Sequence, residues 1–386
     1  MLLLSLALGV IHVSICSRHD APAKNDVFSS DSLFDFVESG QQGSRRKVQP
    51  MRIKPLSNKG FQLMRNGSAG GEKAKKAGSL SQFLPGSSGK VVDSTLDIRP
   101  GRKFEVPVFG EVNVISVLYA DADDSRIYRG SAVESGEDLV IKVQFGSDAS
   151  SFMELDREVE ALKALHGSKG VVRLIASPSN IFLSQKGKKF KFCVLEALGS
   201  SLQKLVLEKY SSVNMPIEEI HTIALKGIQA LEEVHQAGYI HGDIGLGNIL
   251  FTDSSETSIK LIDFGYSRRY LDKDGNHVLQ GGDNPLREGE RITPLSISEI
   301  DGHFPSRRDD LHRLGEVLLK LLNWNYARLL DRCKNKESIR NAKMGVKPSK
   351  DCRSDATKLD YYFTIVMALE YRDTPDYAQL MHLFAT

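Results

Sequence analysis

Cysteine is scarce, with four residues in a chain of 386 (Cys16, Cys193, Cys333 and Cys352), which excludes a small fold held by a dense disulfide framework. Tryptophan occurs once, at Trp324. No stretch contains the roughly 20 apolar residues that a membrane-spanning helix needs. Net charge is also nearly absent: 51 Lys and Arg stand against 49 Asp and Glu, a balance of +2, so the chain as a whole has no field that would gather nucleic acid. What it does have is 41% hydrophobic and 26% charged residues, over a length that can bury a sizeable core.

Those residues are unevenly spread. Residues 1–16 (MLLLSLALGVIHVSIC) form an apolar run of signal-peptide length, and charge begins at Arg18. Secretion is expected from it, although the basic start is missing and His12 interrupts the run. Residues 17–96 lack sustained periodicity and read as a disordered basic linker: between Gln41 and Lys90 eleven Lys or Arg face one acid, Glu72, among many Gly and Ser. The segment VQPMRIKPLSNKGFQLM within it has scattered apolar and basic residues that would allow peripheral membrane or partner contact, and Asn66-Gly67-Ser68 is a glycosylation triplet. Without the leader, three cysteines remain. Cys193 lies in an apolar, strand-like run and is expected as a buried thiol, whereas Cys333 and Cys352 flank a polar loop and are a possible disulfide.

From about residue 97 the pattern changes. Short β-rich runs at 112–119, 126–133 and 139–144 are separated by polar turns. A helical stretch, SFMELDREVEALKAL, follows with Phe152, Leu155, Val159, Leu162 and Leu165 spaced for one buried face. Two further strands are expected in VVRLIAS and KFCVLEAL, and helices dominate from Ile217 onward, notably 217–234 and 310–322. A β-rich lobe of about 97–196 followed by a helical lobe of about 197–386 is an α+β, bilobal arrangement.

Chemistry-bearing residues fall in order along this scheme. Lys142 in Val140-Ile141-Lys142 sits on the third strand, where an ammonium can meet phosphates. Its partner is expected on the next helix: Glu158, one turn before Leu162, with Glu154 as the alternative. His241-Gly242-Asp243-Ile244-Gly245-Leu246-Gly247-Asn248 resembles the protein-kinase catalytic loop, with Asp243 to accept a hydroxyl proton and Asn248 to hold a metal ion. Twenty residues later Asp263-Phe264-Gly265 offers a carboxylate for Mg²⁺. The glycines of GDIGLGN are not a dinucleotide fingerprint, because such a fingerprint leaves a strand and opens a helix.

The stretches SRRDDLxxLG, DFGYSRRY, LEALGSSL and PDYAQLMHLF are similar to the casein kinase one group over about residues 106–384. That resemblance implies Leu195 as gatekeeper, Glu196 and Leu198 in the adenine-facing hinge, and His241 and Asp310 as structural supports of the catalytic loop.

Four departures stand out. The turn that should be glycine-rich reads Ala120-Asp121-Ala122-Asp123-Asp124. Carboxylates about 6 Å from a phosphate would each cost roughly 3 kcal/mol at an effective dielectric of about 20. Gly245 replaces the catalytic-loop Lys, and Gly242 replaces the Arg that reads a phosphorylated activation loop. Thr293-Pro294-Leu295-Ser296 stands in for the usual closing motif. Together these resemble the secreted, with-no-glycine-loop kinases and pseudokinases of apicomplexan parasites, a family with active members. The resemblance implies the parasitophorous vacuole or cyst wall and a secreted or vacuolar protein partner. The departures together make a pseudokinase scaffold or regulator without cofactor the expected function; the alternative is a Ser/Thr kinase using Mg-ATP, favoured by the retained Lys142, Glu158, Asp243, Asn248 and Asp263, and a third reading is membrane remodelling through the basic segment. No nucleic-acid partner is expected.

Overall fold

The computed structural model describes residues 91–121, 125–210, 214–253, 258–278 and 292–385. The expected leader, the glycosylation triplet, nearly all of the expected linker and residues 122–124 of the acidic turn lie outside the described residues.

Strands β1 (Val91–Thr95), β2 (Lys103–Val106), β3 (Gly110–Ala120), β4 (Ser125–Ala132), β5 (Asp138–Phe145), β6 (Leu174–Ala176), β7 (Ile181–Leu183) and β8 (Lys189–Glu196) form one sheet. Its order is β1-β7-β8-β5-β4-β3-β2, with β6 also paired to β8. All pairings are antiparallel except β1 on β7. The sheet thus takes in Val91–Thr95, ahead of the expected domain start at 97.

The period of two does the positioning here. On β5, Leu139, Ile141 and Val143 point into the N-lobe core, which sends Val140, Lys142 and Gln144 to the other face. The N-lobe core is aromatic, with Phe104, Phe182, Phe190 and Phe192 in mutual ring contact. Central β8 is buried along nearly its whole length, as a strand flanked on both edges should be.

Helix α1 (Met153–Ala164) follows a short 3₁₀ turn capped by Asp148, whose carboxylate accepts the Ser151 N–H at 3.1 Å. Its buried stripe contains Leu155, Ala161 and Leu162, and Glu158 lies in the same stripe. The helical lobe comprises α2 (Leu202–Lys209), α3 (Ile217–Gln236), α4 (Ile297–Ile300), α5 (Arg307–Leu322), α6 (Trp324–Arg332), α7 (Lys336–Gly345), α8 (Thr357–Met367) and α9 (Tyr377–Phe384). Short strands β9 (Tyr239–Ile240), β10 (Ile249–Phe251), β11 (Ile259–Leu261) and β12 (Arg268–Arg269) pair as β10 with β11 and β12 with β9. α5 is the axis of this lobe, with 14 of its residues buried and α3, α6 and α8 packed on it. Residues of α1 and β8 share one apolar cluster with Phe264 and α5, so the α1 stripe is continuous with the core beneath the cleft.

Two expectations change in the 333–352 region. The polar loop is largely helix: Asn335 accepts the Ser338 N–H at 2.8 Å in a capping box, and Ile339 and Lys343, one turn apart, bury the inner face of α7. The possible Cys333–Cys352 disulfide is absent, and both thiols are free. Cys333 sits at the end of α6 and directs its Sγ to the carbonyls of Leu329 and Ser338 at 3.4 and 3.6 Å, while Cys352 closes a separate turn at Pro348–Cys352.

Candidate active site

The cleft between the lobes is bounded above by β5 and α1 and below by the loop between β9 and β10. Lys142, on the outward face of β5, reaches two carboxylates: Glu158 of α1 at 2.7 Å and Asp263 at 2.9 Å. Glu158 is 1% exposed, whereas the Asp263 side chain is 41% exposed and opens to the cleft. Burial pushes the Glu158 carboxyl up despite the adjacent ammonium. For Lys142, burial works against the charge, but Asp263 and Glu158 outweigh it and hold the ammonium above its ordinary value. For Asp263, burial raises the carboxyl and Lys142 reverses that, leaving it below the usual range. Glu154, the alternative partner, is exposed and takes no part. Asp263 adopts φ +64°, a strained conformation for a residue with a side chain and one that Asp tolerates better than most.

The lower bank is built from backbone hydrogen bonds. Asp310 of α5 accepts the His241 N–H at 2.7 Å and the Gly242 N–H at 2.9 Å, and its Oδ2 also faces His235 Nε2 at 3.0 Å. His235 in turn takes the Tyr377 hydroxyl on Nδ1 at 2.6 Å. Burial raises the Asp310 carboxyl, but its hydrogen bond and charge contact with His235 win and hold it low. His241 accepts the Asp243 N–H on Nδ1 at 3.2 Å, places Nε2 3.1 Å from Ile262 O, and lies 4.5 Å from the buried Phe264 ring. The catalytic loop and the Asp-Phe-Gly segment are therefore tied together through one histidine, whose imidazole burial pushes towards the neutral form.

Asn248 donates Nδ2 to both the carbonyl and Oδ2 of Asp243, each at 2.8 Å. Burial pushes the Asp243 carboxyl up, opposed by Arg313 and His241. Gly242 has φ +76°, and a Cβ added there would lie 2.7 Å from Tyr266 O, so glycine at this position is dictated by the backbone. Gly245 has no such constraint: a Cβ would meet nothing within 4 Å.

Residues 123–284 match the protein kinase domain family. The chain therefore carries a protein-kinase-like domain on a bilobal α+β fold. The match takes in Lys142, Glu158, Asp243, Asn248 and Asp263 and stops before Asp310.

The remaining expected residues are placed as follows. Leu195 is buried at the end of β8, and Leu198 packs against the large core. Glu196 turns its carboxylate onto the Arg173 N–H at 2.7 Å and onto Lys260, so this side chain ties β8 to β11 and leaves any contact with an adenine to its backbone. Among residues that sequence reasoning passed over, His235 and Tyr377 hold Asp310, and Arg313 with Glu299 stands beside Asp243. A signal existed for Glu299: Ser296 followed three residues later by Glu is a capping box, and Ser296 Oγ and the Glu299 carboxylate do cap α4 reciprocally.

Proposed function

We propose that this chain is a Mg-ATP-dependent protein kinase that phosphorylates Ser or Thr hydroxyls without a glycine-rich loop. The observation that carries this reading is the double ion pair of Lys142, with Glu158 at 2.7 Å and with Asp263 at 2.9 Å. Holding the Glu158 carboxylate in a buried position beside the Lys142 ammonium is costly, and a fold serving only as a scaffold has no use for it.

The donor set suits a hard metal ion. Asn248 spends its Nδ2 on Asp243, leaving its amide oxygen for the ion, and Asp263 presents an open carboxylate. Bound Mg-ATP supplies the γ-phosphoryl group and neutralises its charge. Lys142 orients the α and β phosphates, and Glu158 keeps Lys142 in place. Asp243 would accept the proton of the substrate hydroxyl as that oxygen takes the phosphoryl group from ATP, with ADP as the leaving group.

The second reading, a pseudokinase scaffold, is favoured by the empty space at Gly245 and by the acidic turn. The vacuolar or cyst-wall address, the protein partner and peripheral membrane contact through the basic segment belong to the proposal on the strength of the sequence and its resemblance alone.

The test is the melting temperature of the chain with millimolar Mg-ATP, beside Asp263→Ala, followed by transfer of labelled phosphate to a mixed Ser/Thr peptide. Saturation at about 100 times the dissociation constant adds about 2.7 kcal/mol, a shift of a few degrees. A shift abolished by Asp263→Ala, together with labelled peptide, is expected. A shift without label leaves a nucleotide-binding pseudokinase, and no shift at any concentration leaves the scaffold.

A further inference from the structure

Gly245 removes the cation that a catalytic loop ordinarily places beside its base. Directly beneath the loop, however, Arg313 of α5 brings Nη1 to 3.5 Å from Asp243 Oδ1. We propose that Arg313 is the positioning residue that replaces the missing catalytic-loop cation, supplying charge to Asp243 from below. This rests on the kinase reading given above and deepens it.

The geometry makes Arg313 a fixed support rather than a passing contact. Its side chain is 4% exposed, and Nε and Nη2 form a fork on the Glu299 carboxylate at 2.9 and 2.7 Å. Glu299 is itself held, because its Oε2 accepts the Ser296 N–H at 2.9 Å in the α4 capping box. The guanidinium plane is therefore set before Asp243 is reached, and Nη1 is the nitrogen left to face the base.

Arg313 lies three residues after Asp310, one turn along α5, so the helix that anchors the loop backbone also presents the cation. Asp243 is then met on both oxygens, Oδ2 by an Asn248 hydrogen bond at 2.8 Å and Oδ1 by the Arg313 charge at 3.5 Å. A base tethered at both oxygens loses little orientation when substrate arrives, which is the advantage of preorganised charge. The position of Gly245 is sterically free, and glycine there adds no second cation beside Asp243.

Arg313→Gln and Arg313→Lys separate positioning from folding. Lys at 313 keeps a cation for Glu299 but cannot fork onto it and also reach Asp243, so the ion pair that supports the fold survives. The assay measures kcat and KM for ADP release from Mg-ATP with a mixed Ser/Thr peptide, and the Mg-ATP dissociation constant from melting shifts. Both variants are expected to lose about 10²-fold in kcat, with the Mg-ATP dissociation constant unchanged. Adding Gly245→Lys to Arg313→Lys should restore at least about ten-fold, because a cation returns to the base from the loop side. Unchanged kcat in Arg313→Lys, or a loss that Gly245→Lys leaves untouched, overturns the proposal.

If the wild-type chain shows no phosphotransfer, the kinase reading fails separately. The contact is then decided by unfolding midpoints of Arg313→Lys, Asp243→Asn and the double variant. Non-additive midpoints are expected, and additive ones overturn it.

Discussion

The two banks of the cleft hold their charges in different ways. On the upper bank, Lys142 and Glu158 face each other across packed elements, and the pair is completed by Asp263 in an open position. Of these three charges only Asp263 is open, at 41% exposure. On the lower bank, the 241–248 loop carries glycine at 242 and 245, and its backbone is held by α5, which carries Asp309, Asp310, His312, Arg313 and Glu316 in buried positions. The upper bank is held by side chain meeting side chain, whereas the lower bank adds a buried carboxylate, Asp310, that grips the loop backbone. A loop held by its amides needs no long side chains of its own to keep its shape, which is why glycine is tolerable there.

That difference makes Asp310 the most sensitive residue of the site. Asp310→Ala strands the N–H groups of His241 and Gly242 and the imidazole of His235, all of which now end on one carboxylate that is 1% exposed. At about 1 to 3 kcal/mol for each buried unsatisfied donor, the loss should be at least about 3 kcal/mol in urea unfolding. Glu158→Gln, at equal burial on the upper bank, keeps a carbonyl oxygen for Lys142 and should cost less than about 2 kcal/mol. Equal losses in the two variants would erase the distinction between the banks.

Within α5 a second contrast separates partnered from unpartnered charge. His312 is buried with neither ring nitrogen hydrogen-bonded, and it packs edge-on against Phe363 at 5.9 Å. Burial pushes its imidazole down to about 4, with Glu316 and Glu299 raising it and Lys343 and Arg313 lowering it. The unfolded chain therefore takes up a proton near the ordinary value of 6.5 while the folded chain does not, so stability falls as pH drops from about 6.5 towards 4. The adjacent Asp309 acts with opposite sign: burial raises its carboxyl to about 6, so the folded state binds a proton first and gains stability as pH falls below that value. His312→Phe removes only the first effect, and the cavity of about 190 Å³ that His312 lines gives the larger ring room. Relative to wild type the variant should gain about 3 kcal/mol between pH 7 and pH 4 in denaturant unfolding. A difference that stays constant with pH would show that His312 is solvated or partnered.

Spacing made the upper bank readable in the sequence. A strand Lys, a helix Glu one turn before a buried Leu, and two Asp residues 20 positions apart each carry a period or a fixed separation, and the structure brings Lys142, Glu158 and Asp263 into contact. The supports of the lower bank had no such signal. His235 and Tyr377 lie 142 residues apart and meet only through the packing of α3 and α9. Val91–Thr95 was hidden for a similar reason: five residues, VVDST, become a strand by pairing with β7, and propensity over so short a run is a weak guide. Arg313 reads as one more charge of a helix until α4 and the catalytic loop are folded against it.

The smallest effects come from the two glycines of the catalytic loop, and they are opposite in sign. At Gly242, with φ +76° and a carbonyl oxygen 2.7 Å from the place of a Cβ, Gly242→Ala should cost about 2 kcal/mol. At Gly245, where φ is not positive and a Cβ meets nothing, Gly245→Ala should gain about 0.5 kcal/mol by restricting the unfolded chain. Urea midpoints of the two variants measure both. If the signs hold, the absence of an Arg at 242 follows from how this loop folds, whereas the absence of a Lys at 245 is not demanded by packing and has to be explained by function. A destabilising Gly245→Ala would return both glycines to the backbone and remove that distinction.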